Sequence, residues 1–121
     1  MQNNWDRETV TQTVIACFLV AMAEAETVIA AIQGSVKKPN VKINENSVIT
    51  DAFPDMDALD AISAVMNLEK SFEFVIYDEE VIDMDTDDFT FAFKLKTIGQ
   101  FVDLIIKKFK AKTGEINLET Q

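Results

Sequence analysis

Between Asp6 and Gln33 the chain contains neither glycine nor proline, and this uninterrupted stretch constrains the fold more than any other feature. Alanine and glutamate are frequent in it, both good helix formers, and Gly34 stands where a helix would stop. The pattern predicts one long helix or two abutting ones. Val10, Val14, Cys17 and Ala21 recur at helical intervals, as do Phe18 and Met22, and later Val28 and Ile32. Apolar residues therefore cover more than one face, which is more surface than a single packing contact needs. The whole chain has only three glycines and two prolines in 121 residues, too few for a turn-rich sandwich or barrel. With 48% hydrophobic residues against 26% charged, it can bury a core as a single all-α domain over 1–121. Within that domain the core is expected over about 22–112. Residues 1–21 are expected as an N-terminal helical extension able to support self-association, and 113–121 as a flexible tail.

Residues 35–52 contain Pro39, Asn40, Asn44 and Asn46 and read as a long loop, pinned to the core by Val41, Ile43, Val48 and Ile49. Asp57 is a good N-cap for a second principal helix from about Ala58 to Lys70, striped by Leu59, Ile62 and Met66 and by Ala58, Ala61, Val65 and Leu68. Phe72 to Tyr77 reads as extended or irregular, leading into an acidic stretch that runs to Asp88. Near 89–95 the alternation of Phe89, Phe91, Phe93 and Leu95 with polar residues suggests a short extended segment, while Thr86 offers a cap for a helix instead; both stay open. Thr97 and Gln100 have capping-box spacing ahead of Phe101, Leu104, Ile105 and Phe109, so a last helix is expected over about Ile98 to Ala111.

The formal net charge of -10 argues against nucleic acid or an anionic membrane surface as partner and favours basic protein surfaces. Thirteen Asp and Glu lie between Asp51 and Asp88, against Lys70 alone. Glu24 and Glu26 interrupt the longest apolar stretch, so no membrane span is expected. No basic n-region precedes that stretch, which points to a cytoplasmic protein. Cys17, the sole cysteine, reads as a small buried hydrophobe. Histidine is absent, removing the commonest general base and zinc ligand. Asp83, Asp85 and Asp87 have the spacing that opens a calcium loop. However, Asp88 stands where its glycine belongs and Lys94 where its bidentate glutamate belongs, so no metal site is expected. Gly34, Gly99 and Gly114 are isolated and form no phosphate loop. No catalytic residue is assigned, because carboxylates are abundant but nothing in the sequence separates their pKa values.

Three elements carry a sharper signal: Pro54-Asp55-Met56-Asp57-Ala58-Leu59-Asp60, then Leu68-Glu69-Lys70-Ser71-Phe72, then Lys96-Thr97-Ile98-Gly99. In this order and spacing, over about residues 40–110, they resemble the acyl carrier protein pattern. In that family Asp-Ser-Leu opens the second helix, Leu-Glu-x-x-Phe closes it and a Thr-Ile-Gly-like element opens the last. The resemblance implies a four-helix acyl-carrier-like bundle in fatty-acid or polyketide-type biosynthesis, which holds acyl groups as phosphopantetheine thioesters and catalyses nothing itself. It places the attachment site at Ala58, flanked by Asp57 and Leu59. It also implies an acidic docking face at Asp55, Asp57, Asp60 and Glu69 for basic patches on synthase, reductase, dehydratase and phosphopantetheinyl transferase. Met22, Met56, Met66 and Met84 offer adaptable lining for an acyl pocket or ordinary core packing.

The departure is at position 58. Alanine has no hydroxyl and cannot be phosphopantetheinylated. Ser63 and Ser71 are the nearby hydroxyls, but neither follows an aspartate at the start of the helix. Two origins fit: a serine-to-alanine replacement that locks the unmodified form, or a natural alanine in a protein that uses the carrier shape for binding alone. The long N-terminal helix and the Phe-rich segment near Phe89 to Phe93 also depart from the family pattern.

Overall fold

The computed structural model describes residues 5–37, 42–85 and 90–113. It is mostly helical, in the order α1 (Arg7–Ala21), α2 (Val28–Ile32), α3 (Ile49–Ala52), α4 (Ala58–Phe72), α5 (Asp78–Val81), β1 (Ile82–Asp85), β2 (Thr90–Phe93) and α6 (Ile98–Thr113). The long helices begin where short polar side chains can satisfy their first N–H groups. Asp6 accepts the Thr9 N–H at 2.8 Å, and Thr97 accepts that of Gln100 at 3.2 Å while Gln100 returns a bond to the Thr97 N–H at 3.1 Å. Each such cap is worth about 1 kcal/mol.

The N-terminal stretch divides into two helices. After α1 the chain turns through Ala23, at φ 60°, a left-handed conformation uncommon for a residue with a Cβ. Thr27 then caps the five-residue α2 by accepting the Ala30 N–H at 3.0 Å.

Contrary to expectation, α1 is not an extension outside a core that starts at residue 22. It packs against α2, α4 and α6, and Val10, Val14, Cys17 and Phe18 are completely buried. The reason is its circumference: with apolar residues on several faces, α1 is the one helix that can serve several neighbours at once. Its residues are thereby used inside the fold, and the exposed large apolar side chains among the described residues lie elsewhere, on α2, on α4 and at Val48, Val75 and Tyr77.

Two aromatic groups fix these contacts. Phe18 meets Phe53 at 5.8 Å, Phe101 at 5.3 Å and Phe93 at 6.0 Å between ring centroids. Trp5 meets Phe72 at 4.9 Å and Phe109 at 5.7 Å, which ties the end of α4 to that of α6. Such pairs add about 0.5–1.5 kcal/mol each beyond the area they bury.

The long connection before α4 is short helix and bridge rather than loop throughout. Val48 pairs with Thr97, and the Ile49 N–H donates to the Lys96 carbonyl at 2.9 Å, so buried Ile49 anchors α3 against the start of α6. Val41 lies outside the described residues. β1 and β2 form an antiparallel pair in the register Ile82↔Phe93 to Asp85↔Thr90. β2 falls in the segment near 89–95 where alternation suggests extension; β1 falls in the acidic stretch before it. Buried Ile82 and Phe93 hold the hairpin's inner end to the core. Residues 114–121, expected as part of a tail, lie outside the described residues.

Candidate functional site

The start of α4 is built locally. Phe53 is buried against Phe18, and the exposed turn Pro54–Asp55 carries the chain outward before Asp57 brings it back in extended conformation. There Asp57 Oδ1 accepts the Asp60 N–H at 2.8 Å, and Asp60 Oδ2 accepts the Asp57 N–H at 3.2 Å. This reciprocal box seats Ala58 as the first helical residue, half-buried, with Leu59 beside it at 73% exposure. Helix geometry gives the N–H groups of Ala58 and Leu59 no partner within α4, so donors are available there, beside carboxylates that make the surroundings acidic.

The four expected docking acids do not form one face. Asp55 and Asp57 are exposed and Asp60 is half-buried, with Asp57 and Asp60 engaged in the box. Glu69 lies near the other end of the helix, where its Oε2 accepts the Ile76 N–H at 2.9 Å. The outer side of α4 instead presents Leu59, Ser63, Met66 and Lys70, with Met66 at 51% exposure. The acidity belongs to the helix's entry and to the segments after it. Ser63 is exposed in mid-helix, whereas the Ser71 Oγ lies 3.5 Å from the Cys17 Sγ at a half-buried position.

A cavity of about 80 Å³ sits behind the turn, lined by Met22, Ile43, Ala52, Phe53 and Asp55 among others. That is room for a few water molecules rather than for an acyl chain of any length. Met22 and Met56 pack against the core, Met66 points outward, and the Met84 side chain is outside the described residues.

Burial pushes the Cys17 thiol up to about 11, the Ser71 hydroxyl only partly opposing it, and the Asn67 amide donates to the Cys17 carbonyl at 3.1 Å. These contacts make Cys17 an inert core residue. No group of three potential metal ligands occurs among the described residues; Asp87 and the Asp85 side chain fall outside them, and Asp83 lies 3.8 Å from Lys94. Among the described residues no helix is long and apolar enough to cross a membrane.

Sequence reasoning missed Arg7, which pairs with Glu45 at 2.7 Å and Asp103 at 2.9 Å and so joins the start of α1 to the loop and to α6. No local signal announces a contact between residues so far apart. Comparison with known protein families, curated proteins and solved structures finds no match.

Proposed function

We propose that the protein is an acyl-carrier-type scaffold of fatty-acid or polyketide-type biosynthesis, acting in the cytoplasm by docking and not by catalysis. With serine at position 58 it would hold acyl intermediates as phosphopantetheine thioesters; with Ala58 it docks without cargo. The observation that carries this reading is the Asp57–Asp60 box, which fixes position 58 at the first turn of α4 behind an exposed loop. A phosphodiester held there would meet unpaired N–H groups and the positive end of the helix dipole. The boundaries of α4 and α6 support it further. Asp57-Ala58-Leu59 opens α4, Leu68 to Phe72 closes it, and Thr97-Ile98-Gly99 opens α6. Exposed Asp55 and Asp57 offer the negative charge that steers basic enzyme surfaces, synthase, reductase, dehydratase and phosphopantetheinyl transferase among them.

A second reading, a natural non-carrying interaction protein, is favoured by the outer side of α4, where Leu59 and Met66 leave apolar surface exposed while position 58 has no attachment atom. One experiment separates the two. Ala58→Ser, incubated with a phosphopantetheinyl transferase and coenzyme A, gains the mass of one phosphopantetheine under the carrier reading, while the Ala58 protein stays unchanged. A folded Ala58→Ser protein that no transferase modifies would overturn that reading and leave the binding one.

A further inference from the structure

The far end of α4 carries a feature that the carrier reading does not use. A groove of about 410 Å³ opens there between α1, α2 and the last turn of α4, a size within the range of small-molecule sites. Trp5, Val28, Ile29 and Ile32 supply its apolar lining, and Thr13, Thr27, Lys70 and Ser71 its polar groups, the Thr13 hydroxyl being already donated to the Thr9 carbonyl at 2.9 Å.

Helix α2 is placed as if for this groove. It contributes no buried residue to the core, and Ile29 and Ile32 remain 68% and 42% exposed. Yet it is firmly tied: Thr27 caps it, the Ser35 N–H donates to Ala30 at 2.9 Å, and the Lys37 N–H closes the segment onto Glu24 at 2.9 Å. A helix held this tightly while presenting isoleucines to solvent leaves apolar surface for something else to cover.

The charge at the groove indicates what that is. Lys70 is the only cation between Asp51 and Asp88 and forms no ion pair among the described residues. The helix dipole explains a cation in the last turn of α4, but not its position on an apolar groove. The Thr27 oxygen is already occupied by the Ala30 N–H, which leaves its hydroxyl proton to be donated. We propose that this groove binds a free aliphatic monocarboxylate, its tail along Trp5, Val28, Ile29 and Ile32 and its carboxylate paired with Lys70 and hydrogen-bonded by the flanking hydroxyls. The site lies roughly 18 Å along α4 from Ala58, twelve residues at the helical rise, so it is separate from any tethered cargo.

Trp5 is the sole tryptophan and lines the groove, so its fluorescence reads occupancy directly. Titrating the full chain with dodecanoate below its micellar range is expected to give a saturable change with one site. Lys70→Glu weakens it about tenfold, because charge reversal replaces an attraction with a repulsion. Dodecanol, with the same tail and no charge, is weakened comparably. Ile32→Asp, at an exposed position and with its fold checked by circular dichroism, loses the saturable change. The proposal is overturned if dodecanoate gives no saturable signal, or if dodecanoate and dodecanol bind alike and Lys70→Glu has no effect, which is the behaviour of non-specific partitioning. None of these readouts involves position 58, so failure here and failure of phosphopantetheine loading are distinguishable.

Discussion

The carboxylate of Glu69 accepts the backbone N–H of Ile76 across the chain reversal that ends α4. Between them Glu73 adopts φ 62°, and its N–H returns to the Glu69 carbonyl at 2.8 Å, so one residue satisfies both sides of the turn. Glu69→Ala leaves the Ile76 N–H without this acceptor beside the buried Ile76 side chain. It is expected to lower unfolding stability by about 1–2 kcal/mol in urea, with Glu69→Gln recovering part of the loss. An unchanged midpoint for Glu69→Ala would return this residue to the docking surface.

Ala23 sits in the left-handed region at an exposed position between α1 and α2. Glycine adopts that conformation without the clash of a Cβ, so Ala23→Gly is expected to raise stability by about 0.5–1 kcal/mol. Ala23→Val, branched at Cβ, goes the other way. Thermal melts of the three proteins give the order directly.

Cys17 ionises far less readily in the fold than in the unfolded chain, where its ordinary value is 9.0 and burial pushes it to about 11. The unfolded state therefore loses its proton first, and the stability from the neutral thiol, full below pH 9.0, is lost as pH rises toward about 11. The two-unit interval corresponds to about 2–3 kcal/mol. Cys17→Ala lacks this slope, so its stability deficit against the parent protein narrows between those pH values. Parallel curves would show that the thiol does not ionise differently on unfolding. Native protein is also expected to resist iodoacetamide at neutral pH.

Glu80 gives the opposite dependence. Desolvation alone would raise its carboxyl, but the Tyr77 N–H at 3.0 Å and the Lys108 ammonium at 2.9 Å outweigh that and hold it below its ordinary 4.5. Its contribution is present above 4.5 and is lost as pH falls through the lowered folded value. Lys108→Met is expected to cost about 1 kcal/mol at neutral pH, with the difference from the parent protein shrinking under acid. A difference that is constant from neutral pH to below the ordinary carboxylate value would mean that Lys108 contributes packing, not charge.

What could be read along the chain was what neighbours in sequence decide. The caps at Asp57 and Thr97 need only residues three positions apart, and the starts of α4 and α6 fall where those residues put them. The mostly helical character follows equally from composition and spacing. β1 was not legible, because Ile82-Asp83-Met84-Asp85 becomes a strand through its pairing with Thr90–Phe93, and its aspartates dominated the reading. The burial of α1 was missed because it depends on which helices surround it, and a family pattern with a shorter first helix made the excess look external. The site divides in the same way: the placement of Ala58 is local, whereas the turn that withdraws Glu69 and the groove beside α2 exist only once distant segments meet.

The central place of α1 bears on how the chain is made. Val10, Val14 and Phe18 leave the ribosome well before the residues that cover them, and Phe101 and Phe109 belong to the last helix. Until α6 is made, a strongly apolar helix has α2 and α4 to pack against, and its remaining face is exposed to chance association. Emergence of α6, which folds back onto α1 and brings Asp103 to Arg7, is then the step that closes the core. A chain that stops short of α6 leaves Phe18 without Phe101 and Trp5 without Phe109.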